Sequence, residues 1–169
     1  LVRQAVPQFS WVEQKERLGT GHAVMQARAF LESHRGGDCA VLCGDAPFMD
    51  ADTLKNAYLL LKKEGAAVTL VSAWLDNPTG YGRIVRDEKG DVSSIVEQAD
   101  ADEETLRIRE INAGTYWFSV DFLLDALNRL RADNAQGEYY LTDVIGIAAA
   151  QGRRVCGYQA ADSRVAMGA

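Results

Sequence analysis

The stretch Cys39-Ala40-Val41-Leu42-Cys43-Gly44-Asp45-Ala46-Pro47 is an apolar run that ends abruptly at a carboxylate. A short run of Val, Leu, Ala and Cys bounded by Gly, Asp and Pro has the pattern of a strand buried on both faces, as in the middle of a parallel sheet. Ligands of open α/β sheets bind beyond the carboxyl ends of the strands, where Asp45 would be a hard oxygen donor for a divalent cation over a phosphate. Gly-Asp followed by Pro is also ordinary turn chemistry, so the local sequence leaves both readings open. The second candidate is Leu18-Gly19-Thr20-Gly21-His22-Ala23. A Gly-x-Gly turn opening a helix lets backbone amides approach a ring or an anion closely, and it serves equally well as a tight turn with a Thr cap. It is neither the phosphate loop ending in Lys and Ser/Thr nor the dinucleotide fingerprint.

The elements that must carry these groups read as α/β. Phe9-Ser10-Trp11-Val12-Glu13-Gln14 is short and aromatic enough for a strand, and Val24, Ala27, Phe30 and Leu31 then recur at helical spacing up to Gly36-Gly37. After Asp45, either Asp50 or Asp52 can cap a helix reaching Glu64, with Leu54, Tyr58 and Leu61 on one face and Gly65 as its stop. Residues 66–73 form a second buried strand, and strand, helix and strand at this spacing predict a crossover in a sheet that is at least partly parallel. Ile84-Val85-Arg86 and Val92-Ser93-Ser94-Ile95-Val96-Glu97 flank the turn Asp87-Glu88-Lys89-Gly90, which predicts a short antiparallel hairpin. The acidic stretch 100–104 reads as a solvated helix or loop without chemistry. Residues 108–118 return to strand character, and Asp121 is placed to cap a helix whose buried stripe is Phe122, Leu123, Ala126, Leu127 and Leu130. A polar, aromatic loop over 134–140, a helix over 141–150 and a last strand over 153–159 complete the pattern, with no internal repeat.

A chain of 169 residues with 47% hydrophobic and 25% charged residues suits one globular domain. No window approaches the roughly 20 apolar residues that span a bilayer, and the first residues lack the order of a signal peptide, so membrane insertion is not expected and the expected location is the cytoplasm. Cys39, Cys43 and Cys156 read as reduced core residues, because zinc-site spacing is absent and His22 and His34 lie far from any cysteine pair. A net charge of -6 without a Lys/Arg cluster excludes a nucleic-acid partner, and it means that a phosphate ligand would need an intervening cation.

Taken in order, Gln14 with Leu18-Gly19-Thr20-Gly21-His22-Ala23, Gly44-Asp45-Ala46-Pro47, Asp76-Asn77-Pro78-Thr79-Gly80-Tyr81-Gly82-Arg83-Ile84-Val85, Ile95-Val96-Glu97, Glu110-Ile111-Asn112-Ala113-Gly114 and Asn134-Ala135-Gln136-Gly137-Glu138-Tyr139-Tyr140-Leu141-Thr142-Asp143 cover nearly the whole chain. The series resembles the sugar-nucleotide uridyltransferases, in particular the N-terminal half of the bifunctional N-acetylglucosamine-1-phosphate uridyltransferases and glucosamine-1-phosphate acetyltransferases. The resemblance implies a Rossmann-like nucleotide-diphospho-sugar transferase fold: a mixed, mostly parallel sheet with helices on both faces and a small antiparallel insertion. It implies the reaction of UTP with N-acetylglucosamine 1-phosphate to give UDP-N-acetylglucosamine and pyrophosphate, with Mg2+, for peptidoglycan and cell-wall synthesis. It also implies a homo-oligomer, a trimer in the full-length family. A related transferase using another nucleotide or hexose, or a non-catalytic remnant that binds sugar phosphate, are the alternatives.

On the family's pattern Gln14 would bond the uracil edge, Gly19 and Thr20 would hold the ring, and Cys43 and Gly44 would complete the nucleotide side, while Asp45 would be the magnesium ligand and the catalytic carboxylate. Gly82 would offer backbone to the sugar, Glu97 and Asn112 would bond its hydroxyl or acetamido groups, and Tyr140 and Thr142 would close the far wall. Read without the family, Glu97 and Asn112 are surface residues or turn formers. An anionic nucleophile and a metal-complexed leaving group require no general base, so positioning and charge neutralisation would do the work, and His22 reads as structural. The family's opening strand and Leu-x-x-Gly-x-Gly-Thr-Arg-Met loop have no counterpart here, nor does its second metal ligand, an Asn expected just beyond Ala169. Cys43 stands where the family often has Tyr and Ala113 where it often has Thr. The expectation is therefore a truncated nucleotidyltransferase domain over residues 1–169 that lacks the β-helix acetyltransferase half and is inactive in isolation.

Overall fold

The computed structural model describes Gln4 and residues 7–168. Helices α1 (Thr20–Gln26) and α2 (Arg28–Glu32) precede strand β1 (Asp38–Val41) and helix α3 (Ala51–Glu64). Strands β2 (Val68–Trp74), β3 (Arg83–Arg86), β4 (Val92–Val96) and β5 (Glu110–Ser119) follow, then helices α4 (Val120–Leu127) and α5 (Asp143–Ala150) and strand β6 (Val155–Gln159). Two short 3-10 turns, Thr105–Arg107 and Ser163–Ala166, complete the described elements.

The sheet runs β4-β3-β5-β2-β6, and β1 also pairs with β5. The expected mixed α/β sheet with its antiparallel hairpin, β3 to β4, is present. Its parallel share is smaller than expected: β2 and β6 pair in parallel, whereas β5 is antiparallel to β1, β2 and β3. The crossover β1-α3-β2 does produce two strands of one direction, but β5 is inserted between them and takes both sets of hydrogen bonds.

Helix α3 begins at Asp50, which settles the choice of cap: its carboxylate accepts from the Thr53 N–H at 2.8 Å and from the Thr53 hydroxyl at 2.7 Å, while Asp52 lies in the first turn. It stops at Gly65, whose φ of 58° is the left-handed conformation in which a side chain would be strained. Asp121 does not cap α4, since Ser119 holds that position. Its carboxylate instead accepts from the Gly36 N–H at 3.0 Å and pairs with Arg35, tying the loop before β1 to α4.

Alternation along β2 divides the core. Leu70 joins Phe118, Leu123, Leu127 and Ile145 on the face covered by α4 and α5, while Val71 and Ala73 join Ala57 and Ile111 on the face covered by α3. The expected stripe Phe122, Leu123, Ala126, Leu127 and Leu130 is buried throughout.

Two strand expectations fail. Residues 9–14 form no strand, and Phe9 and Val12 remain more than half exposed. Strand β1 is half-buried along its length rather than buried on both faces, because among the described residues it pairs with β5 alone. Cys43 is consequently exposed and Cys39 only half-buried, while Cys156 is in the core as expected.

The split core predicts where truncation is costly. Phe118→Ala, at a fully buried position, is expected to lower unfolding free energy by about 3–5 kcal/mol in urea titration. Leu59→Ala, on the outer face of α3, is expected to stay within about 0.5 kcal/mol of the parent chain.

Candidate functional site

Strand β5 changes partner along one edge: Ile111 faces Arg83 of β3, and Tyr116 faces Val41 of β1. On its other edge the register slips, because β5 advances four residues from Asn112 to Tyr116 while β2 advances two, from Ser72 to Leu70. Residues 113–115 stand opposite Val71 alone and form a bulge around Gly114, whose φ is 69°. A Cβ there would also lie 2.7 Å from Cys43 Sγ, so conformation and space both demand glycine.

A cleft of about 780 Å³ opens where β5 switches between β3 and β1. Thr20, Cys43, Asp45, Gly82, Glu97, Asn112 and Thr142 line it, which brings together most of the residues proposed from sequence. Gln14, Gly19, Gly44 and Tyr140 do not line it, although Gly19, Gly44 and Tyr140 adjoin residues that do. Ala23, Val24, Ala27 and Phe30 add an apolar wall on the side of α1 and α2.

The Gly19 loop is held by the segment before α5. Leu18 O accepts from the Tyr139 N–H, and Tyr139 O accepts from the Gly21 N–H, each at 2.8 Å. The Leu141 N–H donates to Thr20 Oγ1 at 3.0 Å. A Cβ at Gly19 would come within 2.6 Å of Tyr139 O, and one at Gly21 within 2.6 Å of Leu130 Cδ1, so close packing explains both glycines before any ligand is invoked. Gln14 Nε2 donates to Gly19 O and contacts His22 Nδ1, both at 3.1 Å, and Gln26 contacts the other ring nitrogen. His22 is thus clasped by two amides within its own region.

Asp45 lies in a turn in which the Ala46 N–H donates to Cys43 O at 3.4 Å, so the turn reading and the cleft reading describe one arrangement. Its side chain is exposed, and the end of the chain returns to it: a Cβ at Gly168 would be 3.9 Å from Asp45 Oδ2. Among the described residues no group of three or more His, Cys, Asp or Glu side chains could hold a metal ion. A single carboxylate fits Mg2+, which takes one or two carboxylates and completes its shell with water and substrate phosphate oxygens. The neighbouring Cys43 thiol, turned against Gly114, is pushed up by local burial and by the charges of Asp45 and Glu97.

Glu97 Oε1 accepts from the Thr142 hydroxyl at 2.9 Å. Burial pushes its carboxyl upward, the Thr142 hydroxyl pulls it back, and the charge of Asp100 pushes it up again. Gly82 makes room for this carboxylate, since a Cβ there would be 3.1 Å from Glu97 Oε2. Asp143, at the start of α5, is raised by burial and by Asp100 and Glu97. Asp100, which the sequence reading left without chemistry, therefore belongs to the electrostatics of the site. Tyr140 turns its hydroxyl to Gln136 Oε1 at 2.7 Å.

Asn112 extends the β3–β5 ladder, its N–H donating to Gly82 O at 2.9 Å. Its Oδ1 accepts from the Gly114 N–H at 3.1 Å, and its Nδ2 donates to the Tyr116 hydroxyl at 2.6 Å. Tyr116, absent from the sequence candidates, also lines the cleft. Its signal was the alternation of β5, which puts residues 112, 114 and 116 on one side.

A cleft with an apolar wall, a lone hard carboxylate and a cluster of hydroxyl, amide and carboxylate groups suits a polyhydroxylated phosphate ligand. The relatives of the chain are in keeping with this. It is 48% identical over 155 residues to the bifunctional protein GlmU of Enterococcus faecalis, across 92% of this chain and 34% of that protein. To the bifunctional protein GlmU of Exiguobacterium sibiricum it is 49% identical over 147 residues, across 87% of this chain and 32% of that protein. The chain thus spans about a third of the length of the curated relatives it matches. A crystal structure of UDP-glucose pyrophosphorylase complexed with UDP-glucose superimposes with a TM-score of 0.72 over 94% of this chain and 63% of that one, and at 20% identity it establishes the fold alone. The nucleotidyl transferase family model matches residues 3–163, and the chain belongs to the nucleotidyl transferase family.

Proposed function

We propose that the protein carrying this chain transfers a uridylyl group from UTP to N-acetylglucosamine 1-phosphate. A phosphate oxygen of the sugar forms a bond to the α-phosphorus of UTP, the bond from that phosphorus to the β-phosphate oxygen breaks, and pyrophosphate leaves. The observation that carries the reading is the convergence of Thr20, Asp45, Gly82, Glu97, Asn112 and Thr142, drawn from segments far apart in sequence, on one cleft. The sugar phosphate is already an anion, so the residues have to orient and shield rather than abstract a proton.

Glu97, Asn112 and Thr142 would meet the sugar, and Thr20 with the Gly19 loop would meet the nucleotide. Gln14 would act by fixing that loop, as its bonds to Gly19 and His22 indicate, or by turning out to the uracil edge when nucleotide arrives. Asp45 would hold Mg2+, which when bound neutralises phosphate charge during transfer. The same reading carries a cytoplasmic location, where UTP is made, and a homo-oligomeric parent protein. Among the described residues no helix is long and apolar enough to cross a membrane.

The direct test is pyrophosphate release by the full-length protein from UTP and N-acetylglucosamine 1-phosphate with Mg2+. A clear preference for dTTP or for glucose 1-phosphate would replace the substrates named here, and no release from any pair would sink the reading. Asp45→Asn is expected to lower kcat on the order of a hundredfold or more, with no change in melting temperature, since Asp45 is exposed.

Glu97 should show function and stability moving in opposite directions. Its folded carboxyl titrates above the ordinary 4.5, so the folded state binds the proton more tightly than the unfolded state does. Stability is therefore highest below that ordinary value and is lost as pH rises through the raised one. Glu97→Gln keeps an acceptor for Thr142 without the charge, so its melting temperature should exceed the parent's at pH 7 and the difference should vanish near pH 4. Its affinity for the sugar phosphate should fall about tenfold. A variant less stable than the parent at pH 7 would refute the electrostatic account.

A further inference from the structure

We infer that Tyr116 is a positioning residue of the sugar site: its hydroxyl holds the Asn112 amide so that one N–H of Asn112 points into the cleft for an acceptor oxygen of the sugar phosphate. The inference rests on the proposed sugar site and adds to it a residue and a direction of hydrogen bonding.

The bulge decides the orientation. Residues 113–115 stand opposite the single residue Val71 of β2, so the Gly114 N–H has no partner in the strand register and is satisfied by Asn112 Oδ1 at 3.1 Å. A backbone N–H only donates, so the amide oxygen of Asn112 must face it. Rotating the amide by half a turn would set an NH2 group against that N–H and orphan both. With the oxygen committed to Gly114, the nitrogen must face Tyr116, whose hydroxyl oxygen accepts at 2.6 Å. Both ends of the side chain are then fixed, and Asn112 retains one N–H and one oxygen lone pair for a ligand.

Tyr116 is suited to this task because it cannot move. It is 3% exposed, packs against the Phe118 ring with centroids 5.5 Å apart, and faces Val41 across the β1–β5 pairing. Burial, with the nearby charge of Glu97, also keeps its phenol protonated far beyond neutral pH, so the hydroxyl stays a neutral acceptor. A side chain that touches both the core and the cleft in this way passes the rigidity of β5 to Asn112.

The test uses Tyr116→Phe, which removes the hydroxyl and keeps the ring, together with Asn112→Ala and the double variant, in the full-length protein. Tyr116→Phe is expected to raise KM for N-acetylglucosamine 1-phosphate about fivefold to tenfold, as for one lost hydrogen bond, with kcat and KM for UTP unchanged. The double variant should be no worse than Asn112→Ala, because Tyr116 acts only through Asn112. Asn112→Asp retains an oxygen for Gly114 and lets the Tyr116 hydroxyl donate in its place, yet it lacks the N–H, so it should lose affinity at least as far as Tyr116→Phe. If Asn112→Ala weakens sugar-phosphate binding while Tyr116→Phe does not, or if the two effects add, the positioning role is overturned and the sugar site stands. If Asn112→Ala itself leaves KM unchanged, the placement of the sugar is wrong and the inference falls with it.

Discussion

The Gly114 N–H, which the strand register leaves to a side-chain acceptor, is the constraint from which the cleft follows. A strand with two neighbours spends its backbone donors on its ladders, and β5 departs from this where its register against β2 slips by two residues. The slip coincides with the change of partner on the opposite edge, from β3 to β1, so the sheet divides there and leaves a gap lined by strand ends. A buried or half-buried amide left without a partner is costly, and the side chain of Asn112 provides the acceptor. One side chain thereby repairs the bulge and faces the cavity that the bulge creates.

The same economy of space explains the glycines. Gly82 allows the Glu97 carboxylate to approach β3, Gly114 allows the Cys43 thiol to approach β5, and Gly19 and Gly21 allow the segment around Tyr139 to close over the loop before α1. Each lies where two segments meet beside the cleft, and in each case a single methyl group would push the two apart. The glycine-rich loop is thus legible as architecture even before a nucleotide is considered, and the close backbone approach it gives is what a planar ring needs.

Much of the fold was legible because it depends on local pattern. The buried run of β2, the stripe of α4, the Gly65 stop and the hairpin turn at Gly90 are each written within a few residues, and each is present. What was not legible depends on partners far apart in sequence. Nothing within 39–43 shows that its strand would pair, among the described residues, with β5 alone, and nothing near Asp121 shows that its carboxylate would serve Gly36 instead of its own helix. Most of the residues that the motifs singled out line one cleft, yet the motifs were silent on Tyr116 and Asp100, whose parts come through Asn112 and Glu97. Spacing identifies a residue that touches a ligand more readily than one that holds such a residue in place.

Glu97 shows how the fold accommodates a group it would be more stable without. The charge of Asp100 raises both Glu97 and Asp143, Glu97 adds to the rise at Asp143, and among the described residues none of the three takes part in an ion pair. Elsewhere the chain does pair a sheltered carboxylate: Glu110 is bridged by Arg86 at 2.7 Å and accepts from Ser72 as well, and its carboxyl is held below the ordinary range. A cation beside Glu97 would relieve the repulsion there, but it would also occupy the acceptor oxygens that sugar hydroxyls could use. Leaving Glu97 with one hydroxyl partner keeps those lone pairs for a polyol, at the expense of stability at neutral pH. The contrast between Glu110 and Glu97, at neighbouring places in one sheet, separates a carboxylate that fastens strands together from one kept ready for a ligand.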